Sequence, residues 1–217
     1  MTIDGPTRGG STETEDRILE VALEVLGKDP GASMTAVATA AGVVRRTVYG
    51  YFPARSDLVL ALTRRAAGDI AGALEDTIAN DTSARADELW ARFVGRLWPL
   101  TDRYRVLVTL RRGEFGEDIH ALLRPVDRAL ADLVERGHTE GVFGRHLRAD
   151  VLSQVAWSAV FAIADHATDG RPAAPGEPGA RPAIVTSLLM LGVPEGRAAS
   201  LADGADEFDE PDDSITG

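Results

Sequence analysis

Between Ser33 and Leu58 the chain reads SMTAVATAAGVVRRTVYGYFPARSDL, and this stretch leaves few folds open. Ser33 is placed to cap a helix through its hydroxyl. Ala38 and Ala41 are small enough to let two helices approach closely. Gly42 supplies the positive φ of a sharp turn without a Cβ penalty. Val37, Val43 and Val48 are spaced to fill the wedge between two short helices. The second helix then carries Arg45, Arg46, Thr47, Tyr49 and Tyr51, with no acidic residue from Ser33 to Ser56. The pattern predicts a helix-turn-helix whose second helix suits a DNA major groove.

Further features fix a resemblance. Val37-Ala38, Ala41-Gly42-Val43, Thr47, Tyr49, Tyr51-Phe52 and Arg55 before Asp57-Leu58 stand at the spacing of the DNA-binding domain of the TetR family of one-component transcriptional regulators. The chain resembles that family over about Glu13 to Leu62; the rest fits in length and helical character. Two positions depart from the family pattern. Val44 stands where a capping Ser or Thr is usual, which forgoes about 1 kcal/mol. Gly50 stands inside the recognition helix, at a cost of up to about 1 kcal/mol against Ala. The resemblance implies an all-α homodimer, an operator on double-stranded DNA and a small-molecule effector. It also makes the fourth helix the mechanical link between effector and DNA.

The residue chemistry divides the DNA contacts. Arg45 and Arg46, in the first turn of the recognition helix, can pair in bidentate fashion with guanine O6 and N7. Thr47 and Tyr49 reach bases or phosphates. Tyr51 and Arg55 are expected to hold phosphates and fix register. Ser33 offers its hydroxyl and a helix N-terminus to another phosphate. Val44 and Gly50 belong to the same surface. The formal net charge of −11 speaks against DNA at first sight, but seven acidic residues lie between Asp203 and Gly217. The remainder carries about −4, and the helix-turn-helix itself is basic.

Length and composition set the class. A chain of 217 residues with 44% hydrophobic and 26% charged residues can bury a sizeable core. The absence of cysteine excludes disulfides and thiolate metal sites. The first residues carry no apolar core of a secretory signal. The longest apolar stretch, Val151 to Ala164, is too short and polar to span a bilayer. The expectation is a cytoplasmic protein with no membrane partner.

In chain order, Thr12 and Glu15 form a capping box that opens a first helix ending at Gly27. The two helices of the motif follow. Ser56 caps a fourth helix from Asp57 towards Asn80. Further helices are expected over about 84–98, stopping at Pro99, then 104–112, 119–137 with a bend at Pro125, 150–167, and from Pro182 to Gly192. No period-two alternation marks a strand. The domain reading is a mobile arm over 1–12, a helix-turn-helix domain over 13–57, a helical ligand and dimerisation domain over 58–202, and a disordered acidic tail over 203–217.

Within the larger domain, Trp90, Phe93, Trp157 and Phe161 are candidate walls of an apolar cavity, since ligand sites in helical domains are mostly apolar. Asp165 and His166 would add a polar end, and Arg92 or Arg96 would meet a ligand carboxylate. Val155, Ile184, Leu188 and Leu189, with Ala156 and Ala159, are expected to form a four-helix dimer interface. No catalytic spacing is present: His120, His138, His146 and His166 are scattered, and no phosphate loop, nucleophile elbow or metal cluster appears. No cofactor and no enzyme activity are expected. The sequence leads to a repressor released from a palindromic operator by a small apolar ligand. The alternatives are a ligand-blind regulator or adaptor whose second domain only dimerises or binds protein, and an enzyme or carrier with an incidental helix-turn-helix.

Overall fold

The computed structural model describes residues 8–110, 115–168 and 179–206. Among them are ten α-helices and no strand. The chain divides into two compact units, Met1–Ala66 with Tyr104–Leu122, and Ala67–Arg103 with Leu123–Gly217.

The first unit begins with α1 (Arg8–Lys28). Its core stripe is Ile18, Leu19, Ala22, Leu23 and Leu26, all buried. The helix starts upstream of the capping box, so Thr12 lies inside it rather than at its edge. Of the expected arm, residues 1–7 lie outside the described residues. Gly27 does not end α1. It sits within the last turn, where a Cβ would stand 3.4 Å from the Arg105 Nε. Arg105 opens α6 (Arg105–Leu110), which packs on α1. The glycine is therefore a seat for a side chain 78 positions away in sequence (105 minus 27).

Next come α2 (Met34–Ala40) and α3 (Arg45–Tyr51). Ser33 caps α2 by accepting the Ala36 N–H at 3.2 Å. Gly42 has φ +66°, the left-handed turn expected of it. Val37, Ala38, Ala41, Val48 and Phe52 close the core between the helices. The fourth helix, α4 (Arg55–Asn80), begins two residues before its expected start. Asp57, not Ser56, provides the cap, accepting the Ala54 N–H at 2.8 Å. Residues up to Ala66 belong to the first unit and the remainder to the second.

The second unit adds α5 (Ala86–Arg103), most of α7 (Gly116–Glu140), α8 (Ala149–Thr168), α9 (Arg181–Met190) and α10 (Glu195–Asp206). Pro99 does not stop α5, which runs on through it; Gly95, four residues earlier, loses the N–H its carbonyl would otherwise accept. The core is built by Leu89, Trp90, Phe93, Leu97, Leu130, Val134, Leu152, Val160, Ile184 and Leu188.

The sequence reading has no counterpart for α10. Its buried face consists of Ala198 and Ala202, which carry little apolar signal, and it contains Gly196 and Gly204. What holds it is tertiary. It packs on α5 and α9, and Arg197 donates to Asp87 at 3.0 Å and to Glu88 at 2.8 Å. Asp87 is buried, and the Arg197 hydrogen bond holds the Glu88 carboxyl below its ordinary range. Arg181 at the start of α9 pairs with Asp203 of α10 at 2.9 Å. Residues 207–217, the bulk of the expected acidic tail, lie outside the described residues.

Asp81, in the turn after α4, is tied down by the Ser83 hydroxyl at 2.7 Å, Arg92 at 3.0 Å and the N–H groups of Ser83 and Ala84. The Ser83 hydroxyl, then Arg92, lower its pKa to about 2. A depressed carboxylate stabilises the fold fully above its unfolded value, near 3.8. That contribution is expected to fade as pH falls through about 2. Asp81→Asn should therefore flatten the acid limb of a pH-dependent melting curve between those values. An unchanged limb would place the acid-sensitive group elsewhere.

Candidate DNA interface and ligand domain

The exposed surface of α3 is formed by Val44, Arg45, Arg46, Tyr49 and Gly50, while Val48 and Phe52 point into the core. This follows from helical periodicity: the buried Val48 lies on the opposite side of the helix from Arg46 and Gly50, each two positions away. Arg45 folds over Tyr49, its guanidinium carbon 5.1 Å from the ring centroid, and donates to the Tyr49 hydroxyl at 3.3 Å. Arg46 makes no side-chain hydrogen bond or ion pair among the described residues. Thr47 and Tyr51 are half-buried, with the Tyr51 ring 6.3 Å from that of Phe52. Val44 is the N-cap of α3 and makes no capping hydrogen bond, as its side chain dictates. Gly50 has no neighbour where a Cβ would stand.

Arg55 has partners within the protein. Its guanidinium donates to the Ala32 carbonyl at 2.8 Å and to the Pro30 carbonyl. It thus ties the start of α4 to the loop before α2. Charge-assisted bonds to these carbonyls hold that loop, and with it Ser33. Arg55→Ala is expected to lower stability by about 1–3 kcal/mol. Thermal or urea denaturation measures this. A variant as stable as the parent, with weaker binding to all DNA sequences alike, would restore the phosphate role.

In the second unit the expected cavity walls pack on one another. Phe93 and Trp157 stack with centroids 5.6 Å apart, and Phe161 meets Trp157 edge-on at 4.7 Å. The fourth, Trp90, is fully buried and donates its indole N–H to the Ser187 hydroxyl at 3.0 Å. Phe161 and Asp165 are half-buried. His166 is exposed, with Nδ1 2.8 Å from the Ala162 carbonyl of its own helix. Two clefts are described in this unit, of about 460 and 210 Å³, and none of these six residues lines either. The aromatic stripe is core here because each ring fills the space beside the next.

The larger cleft lies between the end of α4, α5, the start of α9 and α10. Thr77, Asn80, Arg92, Arg96 and Trp98 are among its lining residues. Arg92 is paired with Asp81 at 3.0 Å, while Arg96 is exposed and has no partner among the described residues. The two arginines considered for a ligand carboxylate therefore share one cleft. The dimer expectation is divided. Ile184, Leu188 and Ala156 are fully buried within the protomer and are core, not interface. Val151 and Val155 on α8 and Leu189 and Met190 on α9 remain about 40% exposed.

Comparison with known proteins follows this geometry. Residues 18–62 match the model of the bacterial regulatory proteins of the tetR family. The HTH-type transcriptional repressor LfrR of Mycolicibacterium smegmatis is 42% identical over 64 residues, 30% of this chain and 34% of LfrR. That alignment spans about a third of the relative's length. The solved structure of LfrR with proflavine, from Mycobacterium smegmatis, superposes with a TM-score of 0.65 at 25% identity over 84% of this chain and 96% of LfrR. Over residues 18–62 the helix-turn-helix is that of the tetR-family regulators. Among TetR-like folds, FadR of Bacillus subtilis in complex with stearoyl-CoA matches with a TM-score of 0.69 at 17% identity, over 82% of this chain and 97% of FadR. RolR with resorcinol gives 0.62 at 16%, over 97% of this chain and all of RolR. These two show the fold alone.

Sequence reasoning missed Thr77 and Asn80 as cleft residues. Polar side chains at the end of a helix carry the same signal whether they face solvent or a cleft. The residues that line the cleft with them, on α5, at Gly179 and Ala180 and at Ala205 of α10, come from distant parts of the chain. No helix among the described residues is long and apolar enough to cross a membrane.

Proposed function

We propose that this protein is a homodimeric DNA-binding transcriptional repressor that leaves a palindromic operator when a small molecule binds its second domain. The observation that carries the reading is the solvent-facing surface of α3. Two adjacent arginines and a tyrosine project from a short helix, held by a buried valine wedge, with no acidic residue from Ser33 to Ser56. Such a surface supplies both phosphate attraction and base-edge donors. Selection of bound sequences from random duplex DNA tests it. An inverted repeat with half-sites one helical turn or a multiple apart is expected. Enrichment of no sequence would refute it. Arg46→Ala should lose about 1–3 kcal/mol and relax preference at particular base positions.

Dimerisation is supported by the exposed apolar stripe of Val151, Val155, Leu189 and Met190, a surface that a second copy can cover in two-fold fashion. Effector binding is supported by the cleft beside Arg92, Arg96 and Trp98, whose volume of about 460 Å³ falls in the range of small-molecule sites. The guanidinium of Arg96 favours an effector with an anionic group, and the Trp98 ring a flat apolar body. The effector displaces DNA only if it prefers the state that binds DNA poorly. One observation favours the ligand-blind reading instead: the aromatic cluster of Phe93, Trp157 and Phe161 is closed on itself. Thermal-shift screening with aryl carboxylates and their neutral analogues separates the two. Stabilisation that needs both the carboxylate and Arg96 supports the effector, and no stabilisation by any compound supports the ligand-blind form.

A further inference from the structure

Val44 is the most exposed large hydrophobic residue of the described chain, at 66%. It occupies the N-cap of α3, where a hydroxyl or carboxamide would satisfy an orphan N–H, and it satisfies none. A helix of seven residues has few other sources of stability, so leaving the cap empty is a local cost. The side chain does not recover that cost by packing, because it faces solvent. Breaks of a local rule without a folded-state gain concentrate at functional surfaces. Here the surroundings say which surface. Val44 stands beside Arg45 and Arg46, and all three are exposed at the first turn of the reading helix.

We propose that Val44 is a specificity-determining residue that reads the C5-methyl group of a thymine in each operator half-site. The inference rests on the DNA-binding reading above. In the major groove the thymine methyl is the one apolar group that a base pair presents, so an isopropyl group discriminates thymine from cytosine and from both purines by contact alone. A β-branched side chain is suited to this, because few rotamers are lost when it is fixed. The flanking arginines supply donors for the neighbouring base pairs, and Val44 supplies the apolar element between them and the turn.

Deoxyuridine differs from thymidine by that methyl alone, which gives a direct experiment with the full-length protein. Each thymine of the selected operator is replaced in turn by deoxyuridine, and binding is measured for the parent, Val44→Ala and Val44→Ser. One thymine per half-site is expected to lose about four-fold in parent affinity on replacement, the size of one methyl group taken out of water. The same replacement should change Val44→Ala by less than about 1.5-fold, because the methyl then has no partner. Val44→Ser should melt at a higher temperature through a restored cap and still lose the methyl preference. That outcome separates helix stability from reading. Equal deoxyuridine losses in the parent and Val44→Ala at every thymine would overturn the proposal, as would a Ser variant that keeps the preference. Failure of the parent to select any sequence is a different result. It removes the DNA-binding reading and the proposal with it.

Discussion

Ala159→Arg is expected to convert the proposed dimer to monomers and to lower operator affinity by at least about 100-fold, because binding one half-site no longer holds the second reading helix near its own. Val151, Val155, Ala159 and Ala162 fall at intervals of three or four along α8, one above another on a single face. Val151, Val155 and Ala162 are exposed, and Ala159 is half-buried. The small residues allow a second helix to approach closely, and the valines with Leu189 and Met190 supply apolar area to bury. A guanidinium at position 159 would stand at the centre of that apolar face, and burying an unpaired charge there costs several kcal/mol. The side chain is partly solvent-accessible in the protomer, so the fold should survive, with helix content unchanged by circular dichroism. Light scattering reads the mass and a gel-shift titration reads the affinity. A variant that stays dimeric with normal operator affinity would place the interface on another face.

Gly137→Ala is expected to be the most destabilising small substitution in the chain, by about 3 kcal/mol or more. A Cβ at this position would lie 2.0 Å from Phe143 Cδ2, 2.5 Å from Cε2 and 2.7 Å from Cγ. Phe143 is buried, so its ring has no solvent to swing into. The chain reverses here through Gly141, at φ +71°, and the Val142 and Phe143 N–H groups both bond the Gly137 carbonyl, at 3.0 and 3.2 Å. Ring and glycine backbone are thus held in one turn. At a few degrees per kcal/mol for a chain of this size, the melting temperature should fall by roughly 10 °C. Gly50→Ala is the control. Nothing lies within 4 Å of its added methyl, so α3 should gain up to about 1 kcal/mol of helix propensity. Gly137→Ala combined with Phe143→Ala should lose much less than the two single changes together, because either one relieves the clash. Strict additivity would mean that Phe143 is not what the glycine accommodates.

Sequence and tertiary structure divided the work along a physical line. Interactions that reach no further than about four residues are written locally, and most of these were legible, the caps of α1 and α4 excepted. The Ser33 cap, the Gly42 turn, the Val37 and Val48 wedge and the outward arginines of α3 follow from helical spacing and side-chain chemistry alone. The all-helical class follows from the same periodicity. What could not be read locally depended on partners beyond the reach of one helical turn. Gly27 and Gly137 look like helix stops, yet each sits inside a helix as a seat for Arg105 or Phe143. Pro99 looks like a terminator, but α5 continues because its neighbours bury Leu97 and the residues before it. The spacing that marks Arg55 says nothing of the carbonyls of Pro30 and Ala32, which only the fold sets beside it. Trp90, Phe93, Trp157 and Phe161 mark the apolar face of their helices, and a stripe of rings reads the same whether it lines a cavity or fills one. Only the third dimension decides that, because it sets the distance between faces. It set Phe93, Trp157 and Phe161 against one another, and it brought Arg92 and Arg96 together on one cleft.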